Sequence, residues 1–375
     1  MWRFGLLWFG LLCPMLSNMA NLGAQTVESL PIGAAAPDFE LPGVDDKTYR
    51  LTDFAQAKVL VVVFTCNHCP TAQAYEQRIK DIHRDYKDQS VALVAISPND
   101  AQAVRLDELG YTDLGDSLSD MKLRAKDAGF EFPYLYDGDK QTVSRAYGAK
   151  VTPHVFIFDQ QRRLCYNGRI DDSEIKEVTS HDTRNAIDSL LAGREVAVQE
   201  TRVFGCSTKW IDKRSSAAES LAKWEAEPVE LETIDQAGLV KLVKNESENY
   251  RLINVWATWC GPCLHELPAL VEINRMYRKR HFEFITFSMD EVDQKDRALK
   301  VLKEAHVSGF NRISTIDKRD AFAESLDPKW AGPLPYTILV APGGKVVYRK
   351  EGPIDSLELK REIVKHIGRT YASKK

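Results

Sequence analysis

The chain has 375 residues, a formal net charge of −4, and 28% charged and 44% apolar side chains. This length suits two or three domains, each with its own core, and the near-neutral charge gives no reason to expect a nucleic-acid partner. Seven cysteines are too few for a disulfide scaffold, and four of them form two Cys-x-x-Cys pairs, which indicates redox chemistry rather than structural cross-linking.

The first residues have the pattern of a targeting segment. Arg3 precedes an apolar run at 4–16, and small or polar residues lead to a candidate cleavage position after Ala24. Because so short an apolar run spans a bilayer poorly, residues 1–24 are predicted to be an export signal. Leu22 suits the third position before the cleaved bond poorly, so an uncleaved anchor is the alternative. Export would place the other cysteines in an oxidising compartment such as a bacterial periplasm.

A first module is expected over 32–194. A continuous β-branched and apolar run at 59–65 predicts a buried strand that ends at Cys-Asn-His-Cys-Pro, residues 66–70. A helix is predicted over 71–86, because Pro70 is tolerated in the first turn of a helix. The other predicted strands lie at 91–97, 133–136, 154–158 and 163–167, and the other predicted helices near 121–128, 142–147 and 183–191.

A second module is expected over 229–375, after a mostly polar linker at 195–228 whose first half is expected to pack on the first module. An apolar strand at 252–256 leads to Trp-Cys-Gly-Pro-Cys at 259–263 and then to a predicted helix at 264–277. The remaining strands are predicted at 230–234, 282–289, 336–340 and 345–348, and the remaining helices near 236–244, 294–305, 321–326 and 357–367.

The Cys-x-x-Cys pair of the second module has the position that disulfide exchange requires. Cys260 stands at a strand-to-helix junction, where free backbone N–H groups and the helix dipole favour a thiolate. Such a thiolate attacks a substrate disulfide, and the thiol of Cys263 then resolves the mixed disulfide. A structural disulfide or half of a zinc site is the alternative, although no second Cys/His pair stands at a zinc-finger distance.

The second module resembles the TlpA-type extracytoplasmic thioredoxin-like reductases over nearly all of 229–370. Asn254 replaces the buried Asp of cytoplasmic thioredoxin, and Glu266 and Pro268 follow the second cysteine as they do in that group. The resemblance implies that Glu266 takes the proton of Cys263 during resolution, with a solvated helix residue as the alternative. Because the two modules repeat one order of elements, we expect an α/β protein with two thioredoxin-like domains, each a central mixed β-sheet flanked by helices.

The first module resembles a redoxin family of the AhpC/TSA superfamily over about 32–210. The matching motifs are Cys-Asn-His-Cys-Pro at 66–70, Phe-Pro-Tyr-Leu-Tyr-Asp at 132–137, Arg-Ala-Tyr-Gly at 145–148, Thr-Pro at 152–153 and Gly-Cys-Ser at 205–207. In thioredoxin folds a cis-proline faces the two cysteines, so Pro153 and Pro335 are expected in that role. Backbone groups beside each proline are expected to be free to pair with an extended substrate. His154 stands where the family usually has an acidic residue.

Peroxide reduction is an alternative for the first module, because the superfamily includes peroxidases. A peroxidatic cysteine needs a Thr or Ser three residues earlier and a Pro four residues before that. Val63 holds the Thr position relative to Cys66, and Cys66 itself holds it relative to Cys69. The sequence therefore favours disulfide exchange over peroxide reduction.

Other residues near these cysteines lead to further hypotheses. His68 is expected to stabilise a Cys66 thiolate and to make this pair the more oxidising of the two; a His that only shapes the turn is the alternative. A copper-binding thioredoxin-fold chaperone, holding Cu(I) with Cys66, Cys69 and His154, is a competing function. Cys206 is interpreted either as a third redox thiol or as a buried packing residue.

The expected function is therefore that of an extracytoplasmic thiol–disulfide oxidoreductase acting through its two Cys-x-x-Cys pairs, without cofactor or metal. Its expected partners are protein thiols and disulfides, and a membrane electron donor is a further candidate. The sequence assigns no role to Cys13 or Cys165, no oligomeric state and no direction of electron flow between the two sites.

Overall fold

The computed structural model describes residues 27–316 and 318–371 of the chain. The predicted export signal at 1–24 lies outside the described residues. Within the described ranges, no helix combines the length and the apolar character needed to cross a membrane.

The first half of the chain forms a five-stranded mixed sheet with helices packed on it. The strands of this half are β1 (Glu40–Pro42), β2 (Thr48–Arg50), β3 (Val59–Phe64), β4 (Val91–Ser97), β5 (Tyr134–Tyr136), β6 (Val151–Thr152), β7 (His154–Phe158) and β8 (Leu164–Gly168). Strands β1 and β2 pair with each other outside the five-stranded sheet, and β6 also lies outside it. The helices of this half are α1 (Pro70–Tyr86), α2 (Leu118–Ala128), α3 (Thr142–Tyr147) and α4 (Asp182–Leu191). The sheet order is β5-β4-β3-β7-β8, with β3, β4 and β5 parallel and β7 and β8 antiparallel to their neighbours.

The central strand β3 is buried on both faces, as its continuous apolar sequence predicts. Val59, Val61 and Val63 pack with side chains of α1, α2 and α4. The even-numbered side chains of β3 pack on the opposite face with those of α3. This double packing fixes the end of β3, and therefore the loop at 65–69 that carries the first pair of cysteines.

The segment between the two sheets is more ordered than the predicted linker. It contains the short strand β9 (Cys206–Ser207) and the helix α5 (Arg214–Glu225), which the sequence analysis did not predict. Trp224 of α5 is buried, and the guanidinium groups of Arg275 and Arg278 lie 5.9 and 5.6 Å from the centre of its ring. The segment is polar in composition because α5 buries mainly one residue, Trp224, and leaves most of its other side chains at the surface.

The second half forms a six-stranded mixed sheet with helices packed on it. Its strands are β10 (Glu232–Ile234), β11 (Tyr250–Trp256), β12 (Phe282–Ser288), β13 (Phe310–Ser314), β14 (Tyr336–Val340) and β15 (Val346–Glu351), in the order β10-β13-β12-β11-β14-β15. Its helices are α6 (Gln236–Lys244), α7 (Gly261–Tyr277), α8 (Lys295–Glu304), α9 (Arg319–Leu326) and α10 (Ser356–Ile367). The predicted fold class, two α/β domains with mixed sheets flanked by helices, is confirmed.

The sequence analysis missed strand β13 because a polar residue, Asn311, occupies one of its two buried positions. Asn311 is almost fully buried, and its side chain accepts a hydrogen bond from Thr286 Oγ1 and donates to the carbonyl oxygens of Glu230 and Val307. A buried polar residue that is fully hydrogen-bonded costs little, but it interrupts the apolar alternation by which a strand is predicted.

The two domains pack against each other through the segment at 98–117, which precedes α2. Leu106 and Leu109 pack against the core of the second domain. The Tyr277 hydroxyl donates to the Thr112 carbonyl oxygen at 2.7 Å. A Cβ atom at Gly110 would lie 2.8 Å from the backbone oxygen of Met276, so the close approach of α7 requires glycine there.

Candidate redox sites

Cys260 of the second domain caps the N-terminus of α7. The helix begins at Gly261, and the backbone N–H of Cys263 donates to Cys260 Sγ at 3.3 Å. The two sulfurs form a disulfide, with both cysteines buried. The predicted strand-to-helix junction is therefore confirmed, and the helix terminus is placed to stabilise a thiolate at Cys260 once the disulfide is reduced.

Glu266 is buried one helical turn beyond Cys263. Its side chain accepts hydrogen bonds from Asn254 Nδ2 at 2.7 Å and from the backbone N–H of Ile354 at 2.9 Å. Only 5% of the residue is exposed, so the alternative of a solvated helix residue is wrong. Burial raises the pKa of Glu266 above the ordinary range of a glutamate, and these two hydrogen bonds oppose that effect only in part.

The face of the second domain around Cys260 is open. Trp259 is 59% exposed, and the Arg319 guanidinium lies 6.0 Å from the centre of its ring. Beside them is a cavity of about 370 Å³ whose lining includes Met289 and Asp290. The Leu334–Pro335 peptide bond is cis, which agrees with the role expected for Pro335.

Asp290 is a residue of this site that the sequence analysis did not single out. Its carboxylate accepts hydrogen bonds from the backbone N–H and the hydroxyl of Thr258, and from the hydroxyl of Ser288. It thereby anchors the loop before the cysteines to the end of β12.

The first domain places its cysteines differently relative to the helix. Helix α1 begins at Pro70, so Cys69 and not Cys66 is the capping residue, and the backbone N–H of Ala72 lies 3.5 Å from Cys69 Sγ. Cys69 therefore has the position that Cys260 has in the second domain. Proline is favoured at the first position of a helix, so Pro70 directly after Cys69 indicated that Cys69 is the capping residue.

A buried carboxylate holds the loop of the first pair. Asp116 accepts hydrogen bonds from the backbone N–H groups of Asn67 and His68 at 2.9 and 3.1 Å, and from Asn99 Nδ2 at 2.7 Å. The Nδ1 atom of His68 lies 2.5 Å from Asp116 Oδ2. Sequence reasoning missed Asp116, because it lies 48 residues from His68 in the long segment before α2 and belongs to no periodic pattern.

The charges of this cluster favour a thiolate at Cys69. Burial raises the pKa of Cys66 well above that of an ordinary thiol, and the neighbouring Cys69 and Asp116 add to this. Burial alone would also raise the pKa of Cys69, but hydrogen bonds from Cys206 and Cys66, the charge of His68 and the backbone N–H of the helix lower it well below the ordinary value. The electrostatics therefore favour Cys69 over Cys66 as the thiolate of this pair, and the expected role of His68 at Cys66 stays a prediction.

His68 and Asp116 form a charged pair in the interior. Burial alone would lower the pKa of His68, but the Asp116 carboxylate raises it instead. Burial alone would raise the pKa of Asp116, but the imidazolium and the hydrogen bonds lower it. The Asp116 carboxylate thus favours the imidazolium form of His68, which agrees with the stabilising charge expected beside the cysteines.

The Thr152–Pro153 peptide bond is cis and faces both cysteines, as predicted. Thr152 Oγ1 lies 3.1 Å from Cys66 Sγ, and the thiol of Cys69 lies 3.4 Å from the Thr152 carbonyl oxygen. The neighbouring backbone is not free for a substrate, however, because β9 pairs with β6 there. That part of the expectation is wrong for the first domain.

His154 is not brought to the cysteines. Its ring packs on Phe156 with centroids 4.3 Å apart, and its Nε2 atom lies 2.6 Å from Asn167 Oδ1. Phe156 belongs to the face of the sheet opposite to that of α1. Among the described residues, the side chains here that lie close enough together to hold a metal ion are Cys66, His68 and Asp116, so the ligand set with His154 is not formed.

Comparisons with known families agree with this two-domain architecture. Residues 32–167 match the model of the AhpC/TSA family, and residues 228–363 match the model named Redoxin. The chain therefore contains two domains in tandem, one matched by each of these family models.

Two curated relatives are named thiol-disulfide oxidoreductase ResA. The protein of Geobacillus thermodenitrificans (strain NG80-2) is 31% identical over 111 residues, and that of Geobacillus kaustophilus (strain HTA426) is 29% identical over 111 residues. In each case the match covers 30% of this chain and 59% of the relative, so the chain spans little more than half the length of the relatives it matches.

Two solved structures are also similar. A hypothetical protein from Sinorhizobium meliloti 1021 is 36% identical, with a TM-score of 0.44, covering 49% of this chain and 96% of that protein. An uncharacterized conserved protein from Geobacillus kaustophilus is 38% identical, with a TM-score of 0.44, covering 48% of this chain and 92% of that protein.

Proposed function

We propose that the protein is an exported thiol–disulfide oxidoreductase that reduces protein disulfides through Cys260 and Cys263. The observation that carries the proposal is the dithiol at the N-terminus of α7, closed as a disulfide, with the buried carboxylate of Glu266 behind it. The exposed side chain of Trp259 offers an extended polypeptide a contact surface directly beside Cys260. The names of the curated relatives support the same reaction.

The reaction follows from these positions. In the reduced protein, the Cys260 thiolate attacks one sulfur of a substrate disulfide and releases the other as a thiolate. Cys263 then attacks Cys260 Sγ, its proton passes to Glu266, and the substrate leaves as a dithiol. Two electrons move from the protein to the substrate, and the Cys260–Cys263 disulfide forms. Pro335 borders the groove in which the substrate strand lies.

The first domain supplies a second redox dithiol in this proposal. Cys69 provides the thiolate, Cys66 is its partner in the Cys-x-x-Cys disulfide, and the pair of His68 and Asp116 provides the charge that stabilises the reduced form. Pro153 positions Thr152 against both sulfurs.

The compartment and the partners complete the proposal. The pattern of Arg3 and the apolar run at 4–16 supports export to a bacterial periplasm or an equivalent compartment. Because the closed Cys260–Cys263 disulfide must be reduced again after each turnover, the protein requires a dithiol donor, for which a membrane electron carrier is the candidate.

Insulin reduction by the full-length protein tests the proposal. Cys260→Ser is expected to abolish the reduction of insulin disulfides in the presence of a dithiol donor. The matched control is Cys66→Ser, which removes a cysteine from the other pair and is expected to retain the Cys260-dependent reduction. Undiminished reduction by Cys260→Ser would overturn the assignment.

A further inference from the structure

The first domain carries a strand of its own chain where a substrate would pair. Strand β9 is antiparallel to β6, with Cys206 opposite Thr152 and Ser207 opposite Val151. Thr152 precedes the cis-proline Pro153, and in thioredoxin-like sites this backbone pairs with extended substrates. In the second domain the corresponding groove beside Pro335 carries no strand among the described residues.

The close approach of this strand is built into the sequence. Gly205 has φ +145, and a Cβ atom there would lie 2.1 Å from the Thr152 carbonyl oxygen. Only glycine permits this conformation and this distance. The next hydrogen bonds also fix the strand, since the backbone N–H of Thr208 donates to the Lys150 carbonyl oxygen at 2.9 Å.

The strand places a third sulfur at the buried pair. Cys206 packs against Cys66, Cys69 and Ala72. Cys66 and Cys69 are 2% and 0% exposed, whereas Cys206 is only partly buried and its neighbour Ser207 is exposed.

We propose that residues 204–208 are a tethered substrate strand, and that Cys206 forms a reversible disulfide with Cys69 through which the first domain exchanges with a protein dithiol. The inference rests on the proposed function, because that function supplies the Cys66–Cys69 disulfide from which the exchange begins. In this proposal Cys206, rather than Cys66 or Cys69, is the residue that exchanges with the partner protein at the surface.

The exchange balances without a further oxidant. The sulfur of Cys206 attacks Cys69 Sγ, the Cys69–Cys206 bond forms, the Cys66–Cys69 bond breaks, and the proton of Cys206 ends on Cys66. A partner thiolate then attacks Cys206 Sγ and releases Cys69 as a thiolate, and the partner's second thiol completes its own disulfide and frees Cys206. The low pKa of Cys69 makes it a good leaving group, and the high pKa of Cys66 makes it the natural proton acceptor.

Disulfide mapping of the full-length Cys66→Ser variant tests the inference. The protein is reduced, equilibrated with oxidised glutathione, alkylated and digested. The expected product is an intrachain disulfide between Cys69 and Cys206, with Cys165 alkylated as the internal control because it lies on β8, away from this cluster. A Cys206 that remains alkylatable, with Cys69 either free or carrying glutathione, would overturn the inference.

A second pair of variants keeps the three cysteines in place. In Gly205→Ala the added methyl group collides with Thr152, so the loss of the Cys69–Cys206 disulfide is expected while the Cys66–Cys69 disulfide still forms. Ser207→Ala is the matched control, and the Cys69–Cys206 and Cys66–Cys69 disulfides should both still be detected in its population of molecules. An unchanged yield of the Cys69–Cys206 disulfide in Gly205→Ala contradicts the proposed strand.

These outcomes are separable from those of the proposed function. Insulin reduction depends on Cys260 and is measured independently of the first domain. If it fails in the wild type, the proposed function falls. If it succeeds while Cys206 stays free in the mapping experiments, only the tethered strand falls.

Discussion

The imidazole of His68 lies 2.5 Å from the carboxylate of Asp116 in a fully buried site. The same carboxylate holds the backbone of the loop between Cys66 and Cys69. Asp116, from the segment at 98–117, thus both sets the charge beside the first pair of cysteines and fixes the conformation of their loop.

Replacing Asp116 by alanine is expected to destabilise the protein strongly. The change leaves a buried histidine and several N–H donors without an acceptor, and breaking a buried ion pair in this way costs about 3–5 kcal/mol of unfolding free energy. Denaturant unfolding measures the loss. Asp120→Ala is the control, because Asp120 lies in the first turn of α2 and is only partly buried. Equal losses for the two variants would contradict the role of Asp116.

The contribution of the His68–Asp116 pair to the free energy of unfolding is expected to decrease both at low pH and at high pH. The lowered pKa of Asp116 gives stability above the ordinary aspartate range that is lost as the pH falls through the folded value. The raised pKa of His68 gives stability below the ordinary histidine range that is lost as the pH rises through the folded value. The difference between wild type and Asp116→Ala should therefore be largest from about pH 4 to about pH 6.5. A difference that does not vary with pH would contradict a charged pair.

The first pair of cysteines is expected to be more oxidising than the second. The charge of His68 stabilises the reduced form at Cys69, and a charge-assisted contact contributes about 1.5–3 kcal/mol. Since about 30 mV corresponds to about 1.4 kcal/mol, His68→Gln should lower the potential of the first pair by some tens of millivolts.

Equilibration of the full-length protein with glutathione buffers, followed by mass spectrometry of each cysteine peptide, gives both potentials. His83→Gln is the matched control, because it makes the same change at a partly buried histidine of α1 that packs on Phe132. If Cys260–Cys263 proves more oxidising than Cys66–Cys69, the argument from His68 is contradicted. Any electron transfer between the two sites would then run in the opposite direction.

Glu266→Gln is expected to slow insulin reduction by on the order of 10²-fold, because a positioned base is lost. The raised pKa of Glu266 means that the wild-type rate should fall as the pH decreases through a value above about 4.3, the ordinary glutamate pKa. The variant should lack this inflection. Glu272→Gln, which removes a half-exposed carboxylate of the same helix, is the control and should keep it. A pH profile shared by all three proteins would exclude Glu266 as the base.

The contact between the domains gives a prediction about stability. Tyr277→Phe removes the hydroxyl that donates to Thr112 and leaves that carbonyl oxygen unpaired, which costs about 1–3 kcal/mol. The control is Tyr250→Phe, because the Tyr250 ring stacks on His366 within the second domain. Calorimetry would show the loss, and a Tyr277→Phe protein as stable as wild type would show that the contact contributes nothing.

The repeated local elements could be predicted from the sequence. Apolar runs give β3 and β11, and prolines at fixed places give the two cis bonds, because these features depend on residues close together in the chain. The position of Cys69 at the helix N-terminus was also within reach of the sequence, through Pro70.

The tertiary parts of the first site could not be predicted in this way. Asp116 reaches the cysteines from a segment without periodicity, and its position depends on how that segment packs against α7. Strand β9 has only two paired residues and no apolar pattern, so its pairing with β6 follows from the folded domain rather than from local preference. The helix α5 likewise buries mainly Trp224.

The central claim is that Cys260 is the sulfur that attacks substrate disulfides, and trapping tests it most directly. Full-length Cys263→Ser, reduced and mixed with a disulfide-containing protein such as insulin, should accumulate a mixed disulfide at Cys260 because the resolving thiol is absent. Peptide mapping identifies the linked cysteine. A stable adduct at Cys260 is the predicted result, and the absence of any adduct at Cys260 while the substrate is reduced would contradict the account.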